Sequence, residues 1–155
     1  MGRPDVSMDP AAVEAFLRSH HTMALATYGP AGYPHLVAMS YAFLDGAVAF
    51  WAESRSQKIV NLRRDARLGC LVEEGDDHGT LKGVHLAGDA EFFTEPGALH
   101  RLGRALLTQR FGTADESKLP APLARLADRR TGVRLRAVRT VSWDHTRLRP
   151  ESGVS

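Results

Sequence analysis

PHLVAMSYAFLDGAVAFWAE, residues 34–53, carries the decision about the fold. Two apolar runs flank Asp45-Gly46, a dipeptide that tolerates the positive φ angles of a tight hairpin turn. The pattern predicts antiparallel strands over 34–44 and 47–53. Upstream, MALATY (23–28) has a strand's composition, and Gly29-Pro30-Ala31-Gly32 forms the turn before Pro34. Downstream, RLGCLVEE (67–74) and TLKGVHLAGDAEFF (80–93) continue the series. Two glycines in the second of these predict a bulge or a barrel bend. The last strand is VRLRAVRTVSW (133–143), with Val133, Leu135, Ala137, Val141 and Trp143 expected on one face and Arg139 breaking it.

Helices fill the spaces between. Asp9-Pro10 is a capped start with proline in the first turn, and Val13, Phe16 and Leu17 form its apolar stripe. A second helix runs from Ser56 to about Asp65 with Ile59 and Leu62 on one face. A third opens at Pro96 and carries Leu99, Leu102, Leu106 and Leu107, and LARLADRR (123–130) is a short fourth. Six strands joined by antiparallel hairpins, with helices at the periphery, predict a mainly β fold, a six-stranded antiparallel barrel. No G-x-G-x-x-G turn follows a strand, which argues against a doubly wound dinucleotide fold.

The chain of 155 residues is the size of one domain, with its core over about 10–148; the tail ESGVS (151–155) is expected to fray. Twenty basic residues against eighteen acidic ones leave +2, too balanced for a nucleic-acid partner. The opening MGRPDVSMDP has no apolar signal core, and no stretch approaches the roughly 18 apolar residues of a membrane span. The single cysteine, Cys70, excludes an internal disulfide and a cysteine-cluster zinc site. These features lead us to expect a cytoplasmic protein without membrane contact.

The chemistry is sparse. No G-x-S-x-G elbow, H-E-x-x-H pair or P-loop occurs. Seven scattered histidines, among them His35 and His85 on strands, suggest no metal site. The region 47–65 is more informative. Seventeen of the twenty basic residues are arginine, yet a lysine, Lys58, stands at the start of the second helix. A helix N-terminus carries partial positive charge, so Arg55 and Lys58 sit at the wrong end unless an anion lies between them. Free N–H groups, the hydroxyls of Ser54 and Ser56 and a lysine make a phosphate site. A solvated helix end with Glu53 as counter-ion is the alternative, and the residues alone leave both open.

ALATYGPAGYPHLVAM, AVAFWAESRSQKIVNLRRDARLGCLVE, LKGVHLAGDAEFF and VRLRAVRTVSWDHTRL, taken in order, resemble the pyridoxamine 5′-phosphate oxidase-like family, the FMN-binding split barrels. That family includes actinobacterial enzymes using the deazaflavin F420, and the resemblance covers about residues 10–148. It implies a homodimeric split barrel with FMN, alternatively F420, at the subunit interface, and hydride transfer on a small organic substrate. A non-catalytic flavin or haem binder of the same fold is the second reading. Position by position, Lys58 matches the phosphate-binding lysine, with Ser56 and Gln57 beside it. Trp51 and Ala52 match a strand-end pair beside the flavin. His35, Val37, Ala38 and Met39 match the strand running along the ring, the last three through backbone contacts. Trp143 matches a tryptophan reaching the flavin from the partner subunit.

Three departures stand out. Ser40 replaces a basic residue, Gly83 a glutamine and Gln57 an arginine. The resemblance therefore extends to the cofactor site better than to a vitamin B6 substrate. Tyr41 and Trp143 are expected as apolar substrate walls, and Arg55, Arg63, Arg64 and Arg67 as a groove for an acidic cofactor tail.

Overall fold

The computed structural model describes residues 2–148; the expected frayed tail lies outside them. Among the described residues, α1 (Pro10–Ser19) leads into β1 (Thr22–Tyr28), β2 (Pro34–Ser40), β3 (Ala42–Leu44) and β4 (Ala47–Glu53). Then come α2 (Gln57–Arg64), β5 (Arg67–Glu74), β6 (Lys82–Phe93), α3 (Pro96–Phe111), α4 (Leu123–Asp128) and β7 (Arg130–Asp144). The Asp9 side chain caps α1 by accepting from the Ala12 N–H at 2.7 Å. Asp45 and Gly46 take φ angles of 52° and 78°, closing the expected two-residue turn between β3 and β4.

All seven strands pair antiparallel, in the order β2-β1-β5-β6-β7-β4-β3. The count is seven, not six, because the run 34–44 breaks at Tyr41. The Tyr41 ring is fully buried, its hydroxyl donates to the Leu17 carbonyl at 2.6 Å, and its N–H donates to His21 rather than to a sheet partner. On one side of Tyr41 the chain pairs with β1, on the other with β4. One edge of the sheet thus passes directly into the other, and the sheet curls into a half-barrel. Tyr41 is an interior corner, so the expectation that it walls a substrate site is corrected: no part of it is exposed.

The glycine pattern of β6 is explained at Gly88. The β6–β7 register slips there, Ala87 facing Arg139 and Gly88 facing Ala137, which leaves Val138 as the extra residue of a bulge. Side-chain alternation along β7 therefore reverses. Val133 and Leu135 face the core, whereas Val141 and Trp143 pair with His85 and Gly83 on the outer face. The single apolar face expected for this strand is two half-faces, and Arg139 belongs to the outer one. A methyl group at Gly88 would collide with the Arg136 carbonyl oxygen. Gly88→Ala should cost about 1–3 kcal/mol, the usual penalty of overpacking. Urea unfolding with a lowered midpoint and an unchanged slope would show it; an unchanged midpoint would mean that the bulge relaxes freely.

Two apolar clusters hold these elements. One fills the barrel with Leu25, Phe50, Ile59, Leu62, Val84 and Val133 among others. The second packs Ala49 and Trp51, on the opposite face of β4, against Leu99, Leu102, Leu123 and Ala127 of α3 and α4. No helix among the described residues is long and apolar enough to cross a membrane.

Candidate functional site

β4 emerges between the two clusters, and its end passes through Ser54-Arg55 into α2. Trp51 and Ala52 are buried, Glu53 is exposed, and the Ser56 N–H donates to the Glu53 carbonyl at 2.9 Å. This tight exit sets the first turn of α2 beside the end of β2. A cavity of about 470 Å³ lies there, lined by Met39, Ser40, Trp51, Ala52, Glu53, Ser56, Lys58, Leu106 and Arg130. Five residues expected at the site, Met39, Trp51, Ala52, Ser56 and Lys58, are thus brought together.

Ser56 occupies the N-cap position of α2, but its hydroxyl does not cap the helix. The Oγ is buried without a hydrogen-bond partner. Buried hydroxyls are seldom left unpaired, because losing water without a replacement costs about 1–3 kcal/mol. The N–H groups of the first helical turn lack acceptors within the helix as well. Ser54 is different: its hydroxyl is taken by Thr131 Oγ1 at 2.8 Å. Orphan hydroxyl, helix start and half-buried Lys58 line one cavity, and this donor set fits a phosphate ester.

The remaining expected residues lie around rather than in the cavity. Gln57 donates one amide hydrogen to Asn61 Oδ1 at 2.6 Å, and Asn61 donates to Thr27 Oγ1, so the second amide hydrogen and the Gln57 backbone remain for an anion. His35, Val37 and Ala38 lie on β2, an edge strand that pairs with β1 alone, so backbone groups along its other side stay free for a ligand. His35 Nδ1 is buried and unpartnered. Trp143 stands apart from this cavity, its indole packed against Gly83 so closely that a methyl group there would strike the ring.

Two arginines that the sequence reading missed reach the same region. Arg110 of α3 donates to Ser40 Oγ at 3.2 Å, bringing a guanidinium to the position where a basic residue was missing. Arg130, the first residue of β7, lies opposite Glu53 and over the Trp51 ring, 4.9 Å from its centroid. Burial pushes the Arg130 guanidinium below its ordinary pKa, with Glu53 partly opposing the shift. Only the β4–β7 register reveals it, because nothing in the local sequence marks it. The arginines expected to form a groove are instead largely engaged. Arg64 donates to the Tyr28 carbonyl, Arg67 pairs with Asp65 at 2.7 Å, and Arg63 stacks on Phe92.

A larger cavity, about 970 Å³, opens where β7 parts from β4 beyond Arg134. Its walls include Leu17, Val48, Leu86 and Leu135. Of its charged residues, Glu14 is paired with Arg18, and Arg136 approaches both Asp89 and Glu91. Size alone favours it; unpaired polar groups favour the smaller one, which we take as the site.

Residues 9–144 match the family described as pyridoxamine 5′-phosphate oxidase. The chain belongs to that family. Among solved structures, a conserved hypothetical protein from Mycobacterium tuberculosis is 42% identical, covering 100% of this chain and 97% of its own, with a TM-score of 0.87. An F420 reductase is 23% identical over 82% of this chain and 94% of its own, with a TM-score of 0.63. An FAD-binding protein from Mesorhizobium loti is 18% identical over 88% and 94%, with a TM-score of 0.64. A haem storage protein from Vibrio cholerae and a haem-binding protein from Mycobacterium smegmatis share the fold too. Below 25% identity the likeness is one of fold. No curated protein matches the chain.

Proposed function

We propose that this member of the pyridoxamine 5′-phosphate oxidase family is an oxidoreductase that uses a flavin-type cofactor, FMN or the deazaflavin F420. The observation that carries the reading is the buried, partnerless Ser56 hydroxyl beside Lys58 at the start of α2. When bound, such a cofactor supplies hydride transfer, here to or from a small organic substrate. Lys58, Ser56 Oγ and the α2 N–H groups hold its phosphate; the free edge of β2 lies along the ring. The working unit is a homodimer. Exposed Leu36 and Val138, with half-buried Val141 and Trp143, give the outer face of the sheet an apolar surface that a second copy would cover. Trp143 then reaches the partner's cofactor.

Native mass spectrometry with a visible spectrum of freshly purified protein tests this. A dimer carrying FMN or F420 is expected. A Soret band would instead support the haem reading, for which the unpartnered Nδ1 of His35 is the favouring observation. A monomer with no chromophore that binds neither flavin on titration would end the proposal.

Pyridoxamine 5′-phosphate should be a poor substrate. A phosphorylated amine needs its own cationic pocket beyond the cofactor phosphate site. At the Ser40 position the structure offers a neutral hydroxyl and one exposed guanidinium, Arg110. One cation makes a weak clamp for a dianion. With FMN and oxygen supplied, pyridoxal 5′-phosphate formation should be negligible, and turnover with a micromolar Michaelis constant would contradict this.

A further inference from the structure

Arg130 has no place in the family resemblance, yet it is the second cation lining the cavity that holds Lys58 and the Ser56 hydroxyl. Burial sets it apart from the other arginines near the site, and two further contacts bear on its role. It is half-buried, whereas Arg55 on the approach to α2 is exposed. Its guanidinium lies over the Trp51 ring, a cation–π contact that fixes the group where water is partly excluded. Among the described residues it makes no ion pair, although Glu53 faces it across the β4–β7 ladder. By contrast, Arg64 and Arg67 are tied to Tyr28 and Asp65. A partly desolvated guanidinium with only the exposed Glu53 nearby gains when an anion arrives to pair with it directly.

We infer that Arg130 is a direct ligand of the anion, forming with Lys58 a two-cation clamp for a phosphate dianion. The inference rests on the cofactor reading above and adds a residue to it. The phosphomonoester of FMN carries nearly two negative charges at neutral pH. Lys58 alone, a point charge, neutralises one of them. Arg130 supplies the second and presents a planar fork that can engage two phosphate oxygens at once. Stacking on Trp51 holds that fork in plane, so little side-chain freedom is lost on binding. Trp51 on this account is a support for Arg130, and its burial under α3 secures the clamp.

The test compares FMN with riboflavin, which has the same ring and chain but no phosphate, by calorimetric titration of the full-length protein; the phosphorylated deazaflavin is titrated in parallel. Arg130→Gln should weaken binding of the phosphorylated cofactor about ten- to hundredfold, as expected for loss of a charge-assisted contact. Riboflavin affinity should stay within about twofold. Arg130→Lys should fall between wild type and Arg130→Gln, because it keeps the charge and loses the fork. Circular dichroism of each variant establishes that it is folded. If Lys58→Ala weakens FMN binding and Arg130→Gln does not, Arg130 only packs on Trp51, and the inference fails while the phosphate site stands. If Arg130→Gln weakens FMN and riboflavin equally, it acts on packing and the inference is likewise overturned. Should wild-type protein bind neither phosphorylated cofactor, or bind riboflavin as tightly as FMN, the cofactor reading falls and the Arg130 assignment with it.

Discussion

Lys58→Ala lowers the affinity for the phosphorylated cofactor roughly ten- to hundredfold, the loss of one charge-assisted contact worth about 1.5–3 kcal/mol. The same change should leave the apo protein as stable as before, or more stable by a few tenths of a kcal/mol. Lys58 stands in the first turn of α2, where the helix dipole disfavours a cation, and it makes no ion pair among the described residues. Opposite signs for binding and stability distinguish a ligand-directed lysine from a structural one. Titration with FMN and F420, set beside thermal melting without cofactor, measures both. Unchanged affinity for both cofactors would remove Lys58 from the site.

Tyr41→Ala should be the most damaging single change to the fold. It empties a fully buried site at the corner where β2 passes into β3, and truncating a large buried aromatic costs about 3–5 kcal/mol. For a domain of this size that lowers the melting temperature by roughly 10 °C. Tyr41→Phe should cost only about 1 kcal/mol. It removes the hydroxyl, but the Leu17 carbonyl keeps a second donor, the Gln109 amide at 2.9 Å. Gln109 also donates to the His20 carbonyl and accepts from the Phe43 N–H, so it ties α1 to β3 without Tyr41's help. Equal melting shifts for Ala and Phe would show that the hydroxyl, not the ring volume, makes the corner.

Burial also pushes the Tyr41 hydroxyl well above the usual tyrosine range and the Cys70 thiol up to about 12. Both groups therefore stay neutral through the physiological range. They belong to the core, not to the chemistry.

Local patterns in the chain were enough for the elements that depend on neighbours in sequence. Asp45-Gly46 specified its turn because both residues accept positive φ, and Asp9-Pro10 specified the start of α1 through an acceptor and a preset φ. Ser56 and Lys58 were legible as a candidate anion site, beside a solvated helix end, because a lysine at a helix start conflicts with the dipole, a conflict visible without coordinates. Tertiary structure decided what depends on strands far apart. The break at Tyr41 exists because the two halves of one apolar run pair with different partners, and an alternating pattern does not record which partner each half takes. The reversal of faces in β7 follows from one extra residue opposite Gly88; period-two alternation read in one direction carries no sign of it. Arg130 reached the site through its register with Glu53 on β4, and Arg110 through the packing of α3. Both are ordinary arginines in an arginine-rich chain until the fold sets them beside Trp51 and Ser40.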